Sequence, residues 1–204
     1  RILVLGTHNQ KKRLELEQLL APWGFQLLPL SDFDNSLDVE ETGTTFAENA
    51  ELKASEQAQQ LSHWVLGEDS GLCVQALDGA PGIYSARFSG PDATDDQNNN
   101  HLLAQLGDLD NQQRQAHYCC HMAVCDPAGT VRASSEAQCH GVIRIQPAGT
   151  NGFGYDPLFE IPEYHQTFGQ LGPSVKSVLS HRSRATRKLV PQLLALRKQW
   201  HHPL

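Results

Sequence analysis

Carboxylates, lysines and a glycine-held aromatic gather in four short segments of this 204-residue chain, and each set has a chemistry open to it. Thr7-His8-Asn9-Gln10-Lys11-Lys12 follows the apolar run Ile2-Leu3-Val4-Leu5 and precedes leucines at helical spacing. The start of a helix offers free N–H groups and the positive end of its dipole, which favour an anion. Thr7 and Asn9 can donate hydrogen bonds there, and Lys12 can meet a phosphate as a point charge. The plainer alternative is an N-cap followed by solvated lysines; the glycine pattern of a Walker loop is absent.

The second segment, Glu40-Glu41-Thr42-Gly43 with Glu48 and Asn49 beyond it, supplies hard oxygen donors. Mg²⁺ takes one or two carboxylates and completes its shell with water and substrate phosphates. A solvated acidic turn, with Glu48 engaged in a helix cap, is the competing reading. The third, Glu68-Asp69-Ser70-Gly71, is expected to form a tight turn closing the apolar strand of residues 64–66, with one carboxylate free to hold a metal or activate water. An ordinary turn would look the same.

The fourth segment, Gly149-Thr150-Asn151-Gly152-Phe153-Gly154-Tyr155-Asp156-Pro157, carries an aromatic between glycines on a loop. Exposing such a ring costs free energy unless something stacks on it, and stacking a nucleobase returns roughly 1–3 kcal/mol. Asp156 can accept hydrogen bonds from a base edge, unless the ring is simply a core residue in a glycine-rich turn. Lys176 and Ser180-His181-Arg182 follow, with cations that can read carbonyl or phosphate oxygens. His117, Cys119 and His121 alternate along one strand. Strand packing explains them better than a transition metal, since no fourth ligand stands at motif spacing.

These segments need elements to position them. The opening reads as strand, loop, a helix stopped by Pro22 and Gly24, and a second strand over residues 25–30. Thr45-Phe46-Ala47-Glu48 has capping-box form and opens a helix to about Leu61. Residues 95–106 form a further helix, 116–125 and 130–138 a hairpin turning at 126–129, and 182–196 a last helix. Strands alternating with helices imply α/β layering around one core or two lobes sharing a sheet.

A formal charge of −7, with acids dispersed along the chain, argues against wrapping a nucleic-acid polymer, which needs a basic face. It leaves room for a small anion held by a local cation cluster. No apolar stretch reaches the ~18 residues of a membrane span, and no signal-like segment opens the chain, so a cytoplasmic location is expected. The five cysteines make an odd count without a CxxC pair, so reduced thiols are expected rather than a disulfide framework.

Taken in order, the segments resemble the inosine triphosphate pyrophosphatase (Ham1-like) family over about residues 2–192. The likeness rests on the Thr7–Lys12 segment, Glu40-Glu41-Thr42-Gly43-Thr44-Thr45-Phe46-Ala47-Glu48-Asn49-Ala50 and Glu68-Asp69-Ser70-Gly71-Leu72. It continues through Gly79-Ala80-Pro81-Gly82-Ile83-Tyr84-Ser85-Ala86-Arg87, Gly152-Phe153-Gly154-Tyr155-Asp156-Pro157 and Ser180-His181-Arg182.

The resemblance implies an α/β fold of two lobes around a long mixed β-sheet with flanking helices, an active-site cleft between the lobes, and a homodimer. It implies hydrolysis of ITP, dITP and XTP to the monophosphate and pyrophosphate. Thr7, His8, Asn9, Gln10, Lys11 and Lys12 would hold the triphosphate, and Glu40 and Asp69 would bind Mg²⁺, with Asp69 also the proton acceptor. Ser70 would touch phosphates or sugar, while Phe153 would stack on the base. Gly154, Tyr155, Asp156, Lys176, His181 and Arg182 would surround the base edge and phosphate tail. Two positions depart from the family pattern: Glu68 stands where Asp is common, and Asn151 where Gly is common.

Three other readings differ at defined points. Septum-inhibitor (Maf-like) pyrophosphatases open on a serine-proline-arginine type of motif, unlike Thr7–Lys12. A catalytically silent nucleotide sensor would have no need of Lys12, Glu40 and Asp69 together. A nucleic-acid-binding module is disfavoured by the charge.

Overall fold

The computed structural model describes residues 1–197 and Trp200. The chain forms β1 (Ile2–Leu5), α1 (Gln10–Leu20), β2 (Gln26–Pro29), α2 (Phe46–Leu61), β3 (Val65–Val74) and α3 (Asp95–Leu106). Then come β4 (Gln115–Cys125), β5 (Val131–Ile143), β6 (Phe159–Ile161), β7 (Gln166–Thr167), α4 (Pro173–Leu179) and α5 (His181–Leu196). The strands lie in the order β2-β1-β3-β4-β5-β6-β7. β1 runs parallel to β2 and β3, whereas β5, β6 and β7 pair antiparallel. The sheet is therefore mixed, with flanking helices, as expected.

The chain divides into two compact units. The first comprises Arg1–Asp69, Cys120–Ala137 and the chain from Arg182 on; the second comprises Ser70–Cys119 and Gln138–His181. The boundaries fall inside β3, β4 and β5.

In the first unit, strand alternation builds two cores. Leu3, Leu5, Leu66, Met122 and Val124 pack with Leu16 and Leu20 of α1 and with Ala185, Leu189 and Leu193 of α5. Their neighbours Val4, Val65, Ala123 and Cys125 pack with Ala50, Ala54, Ala58 and Leu61 of α2. Because successive strand residues point to opposite faces, α1 and α5 cover one side of this part of the sheet and α2 the other. In the second unit Leu72, Val74, Leu102, Leu106, Tyr118, Phe159 and Phe168 share a single core.

Helix boundaries follow local chemistry. Asn9 caps α1, its side chain accepting from the backbone N–H groups of Lys11 and Lys12. Thr45 caps α2 by accepting from Glu48 N at 3.1 Å. The return bond of a capping box is displaced by one residue: the Glu48 carboxylate accepts from Thr44 N at 2.6 Å and Thr44 Oγ1 at 2.9 Å. Those bonds to its charged form hold Glu48 below the usual carboxylate range. A complete reciprocal box is made by Thr94 and Gln97 at the start of α3.

One expectation is corrected. Glu68-Asp69-Ser70-Gly71 is the middle of a ten-residue strand, β3, and not a turn after a three-residue strand. Its glycines suggested a break. Gly67 instead serves close packing, since a Cβ there would strike the Ala50 carbonyl and the Ala54 backbone of α2. The hairpin strand β5 is also longer than expected, reaching Ile143, and β6, β7 and α4 were not foreseen.

Candidate functional site

The predicted site residues fall into both units. In the first unit, the alternation that places Val65 against α2 and Leu66 against α1 and α5 continues along β3. It sends Glu68 toward α1 and α5, and Asp69 toward α2.

Asp69 is buried and meets two side chains one turn apart on α2. Lys53 Nζ donates to Asp69 Oδ1 at 3.0 Å, and Asn49 Nδ2 approaches Asp69 Oδ2 at 3.4 Å. The i, i+4 spacing of Asn49 and Lys53 puts both on one helix face. Asn49 Oδ1 accepts from Gly43 N at 2.9 Å, and Lys53 Nζ also binds Glu41 Oε1 at 3.0 Å. The acidic segment is thereby tied to Asp69 through α2. Its Glu41 is half-buried and joined to that network, whereas Glu40 is exposed. The approach to this segment is fixed by the buried Gln57, which accepts from Leu37 N at 3.1 Å and donates to Leu37 O at 2.5 Å.

Burial raises the Asp69 pKa, and Glu41 and Glu68 push the same way; Lys12 and Lys53 oppose them without cancelling the effect. For Lys53, burial alone would lower the pKa, but Asp69, Glu41 and Glu68 outweigh it, so the ammonium holds its proton more firmly than usual. A carboxylate set poised upward between fixed cations is an arrangement suited to accepting a proton.

On the opposite face of β3, Glu68 Oε2 lies 3.1 Å from Lys12 Nζ, and Glu68 Oε1 accepts from Arg182 Nη2 at 2.9 Å. Arg182 also pairs with Glu15 of α1, and Cys120 Sγ sits 3.4 Å from Glu68 Oε1. Arg182 is thus buried and engaged by two carboxylates. These two pairs brace Arg182 between α1 and β3. Burial, with the adjacent Glu68 charge, pushes the Cys120 thiol far up, so it stays protonated. In the Thr7–Lys12 segment, Thr7 Oγ1 accepts from Asn9 N at 3.1 Å, and His8 Nε2 lies 3.0 Å from Leu37 O. Gln10 and Lys11 open α1 and are exposed.

The second unit holds Ser70, half-buried on β3, and the loop around Phe153. Asp156 Oδ2 accepts from Phe153 N at 2.8 Å and from Lys176 Nζ at 2.6 Å. Lys176 Nζ in turn sits 4.5 Å from the centroid of the half-buried Phe153 ring, within cation–π range. Asp156 is itself buried and organises the loop from beneath. Tyr155 points inward, its hydroxyl donating to Ser85 O at 2.8 Å, and burial raises its pKa. His181 stacks on Tyr118 with ring centroids 4.6 Å apart and planes 12° from parallel. Asn151, at a position where the family commonly has Gly, does not adopt a positive φ. Its Nδ2 donates to Leu171 O at 3.1 Å instead.

The sequence reading missed Lys53, the side chain that links Asp69 to Glu41. Its only signal was the four-residue spacing from Asn49 along a helix already foreseen. It also missed Glu15, the second carboxylate on Arg182. Among the described residues, no group of three or more His, Cys, Asp and Glu is arranged to hold a metal, the His117–Cys119–His121 row included. That leaves a Mg²⁺ reading intact, because Mg²⁺ asks for only one or two protein carboxylates.

The model of the Ham1 family matches residues 3–192. The chain belongs to the Ham1 family. Among curated relatives of this Ham1 protein, the dITP/XTP pyrophosphatase of Rhodopirellula baltica is 52% identical over 194 residues, covering 95% of this chain and 93% of the relative. The dITP/XTP pyrophosphatase of Listeria monocytogenes serovar 1/2a is 42% identical, with 94% of each chain covered. Among solved structures, a HAM1 protein from Coxiella burnetii superposes with a TM-score of 0.86 at 35% identity, over 95% of this chain and 98% of that one. The Ham1 fold thus accounts for the mixed sheet and its flanking helices. Among the described residues of this Ham1 protein, no helix is long and apolar enough to cross a membrane.

Proposed function

We propose that this Ham1 protein hydrolyses ITP, dITP and XTP to the corresponding monophosphate and pyrophosphate, removing non-standard purines from the nucleotide pool. The observation that carries the reading is Asp69: a buried carboxylate with a raised pKa, gripped by Lys53 and Asn49, in a chain close to relatives named dITP/XTP pyrophosphatases.

Asp69 accepts a proton from the attacking water as its oxygen forms a bond to the α-phosphorus. The bond from that phosphorus to the bridging oxygen breaks, and pyrophosphate leaves. Lys12 and Lys53 offset the charge that develops on the phosphoryl oxygens, which is where most catalysis of phosphoryl transfer arises. The N-terminal turn of α1, from Thr7 to Lys12, offers backbone N–H groups to the triphosphate. Phe153 stacks on the base. His181 and Lys176 supply donors to a 6-oxygen, where adenine would present an amino group and set donor against donor. Arg182 supports Glu68 and Glu15 from within the core.

Mg²⁺ is the proposed metal, held by Asp69 and a carboxylate of the Glu40–Glu41 pair. The donor chemistry fits, because Glu41 and Asp69 already converge on one cation, the Lys53 ammonium. When bound, the ion would supply further positive charge to the substrate phosphates. A homodimer in the cytoplasm completes the proposal; five free cysteines suit a reducing compartment.

The test is to incubate the protein with dITP and Mg²⁺ and to resolve the products. dIMP and pyrophosphate should appear in equal amounts, and EDTA should stop the reaction. Formation of dIDP and orthophosphate would contradict the reading.

A further inference from the structure

Gly154, the residue after the candidate stacking ring, has both of its backbone polar groups held by one helix. Its N–H donates to Asp95 Oδ2 at 3.0 Å, and its carbonyl accepts from Asn99 Nδ2 at 3.0 Å. Asp95 and Asn99 stand four residues apart in α3, so they project one above the other from a single face. Gly154 lies at φ +61°, a left-handed conformation in which the flanking peptides turn sharply. Such a turn is defined only when both peptides are fixed. From the other side, Asp156 fixes Phe153 N. The two-residue stretch Phe153-Gly154 is therefore held at both ends by side chains, Asp156 at Phe153 N and Asp95 and Asn99 at the two polar groups of Gly154.

Asn99 makes this arrangement at a cost to stability. It is only 8% exposed, yet its Oδ1 is buried with no hydrogen-bond partner. The orientation of the amide is set, because only its nitrogen can donate to the Gly154 carbonyl. Buried polar atoms are nearly always paired, and an exception calls for an explanation. Leu102 and Leu106 of the same helix lie in the apolar core of this unit, and Leu103 packs against it, so a leucine at position 99 would suit the helix. A half-satisfied amide where an apolar side chain would serve stability marks a position that serves function instead.

We propose that Asp95 and Asn99 are positioning residues for base recognition: together they clamp Gly154 and so set the pose in which Phe153 meets the purine. The inference rests on Phe153 being the base platform. Neither residue belongs to the segments assigned to the phosphates, so the clamp acts on substrate binding and base discrimination while leaving the chemical step alone.

The experiment compares Asn99→Leu, Asp95→Ala, Asp95→Asn and Phe153→Ala with the wild type, by steady-state kinetics on dITP and dGTP with Mg²⁺ and by thermal melting. Asn99→Leu removes the unpaired acceptor together with the donor to Gly154 O, and the leucine gains apolar burial, so its melting temperature should stay within a few degrees of the wild type. Its KM for dITP should rise about tenfold with kcat within about twofold, and the dITP-over-dGTP preference should narrow by a similar factor. Asp95→Asn keeps an acceptor for Gly154 N and should stay near wild type, whereas Asp95→Ala should resemble Asn99→Leu. Wild-type KM and base preference in Asn99→Leu, while Phe153→Ala raises KM, would overturn the clamp alone. Wild-type KM in Phe153→Ala as well would overturn the base-platform reading and the clamp with it.

Discussion

Glu68 and Asp69 are adjacent in sequence and face opposite sides of β3, Glu68 joined to Lys12 and Arg182 and Asp69 to Lys53 and Asn49. The two acids therefore have separate sets of partners. Glu68 sits in a buried ion network that ties α1, β3 and α5 together, while Asp69 stands beside the acidic segment and the lysine of α2.

Asp69→Asn keeps the volume of the side chain and removes the proton acceptor. Turnover of dITP should fall by about 10³-fold or more, within the range for loss of an essential general base combined with a metal ligand. The melting temperature should stay within a few degrees, because the raised Asp69 pKa means that the native state gains little from its charge, and Glu41 still pairs with Lys53. Pyrophosphate release and differential scanning fluorimetry on the same preparation check both. Near-normal turnover would remove Asp69 from the mechanism.

Glu68→Gln should act mainly on stability. Breaking a buried pair leaves an uncompensated charge and costs about 3–5 kcal/mol, and here both Arg182 and Lys12 lose a partner. The comparison is Glu160→Gln, which breaks the more exposed pair with Arg144 and should cost about 1 kcal/mol or less. Urea denaturation of the two variants gives the ordering directly.

Much of this was legible in the sequence, and the gaps have physical causes. The helix starting after Thr45 announced itself through its cap, and the Asp126-Pro127-Ala128-Gly129 turn gave the hairpin. β3 was misjudged because glycine marks both a turn and a close approach of a helix, and only the neighbour at Gly67 tells which. The candidate site residues were chosen by type and order. Their partners were not, because Glu15 meets Arg182 across 167 positions and no local pattern reports such a contact. Asp156, read as a free acceptor, is occupied by Phe153 N and Lys176, and that too is a tertiary fact.

The acidic segment gives a prediction that the sequence alone did not. Glu41 reaches Lys53 and Glu40 is exposed, so Glu41→Gln should depress kcat more than Glu40→Gln, by about tenfold. Both should leave stability nearly unchanged, since the Glu41–Lys53 pair is partly exposed. Titration of activity against Mg²⁺ for each variant shows which carboxylate governs the metal requirement.

The raised pKa of Asp69 fixes the sign of a pH effect. A metal binds the deprotonated carboxylate, so protons compete with it. Because burial lifts the Asp69 pKa in the metal-free protein, half-saturating Mg²⁺ should begin to climb on acidification at a pH above the ordinary aspartate value of 3.8. Rate measurements across Mg²⁺ concentration at several pH values check this. A Mg²⁺ requirement that stays flat down to that value would mean that Asp69 is not the competing group.

Selectivity for the 6-oxopurine is the heart of the account, and the most direct measurement is the ratio of kcat/KM for dITP to that for dATP, read as pyrophosphate released. A site whose buried donors face the 6-oxygen should favour dITP by about 10²-fold or more. Equal rates with the two substrates would contradict it, leaving a triphosphate hydrolase that does not read the base.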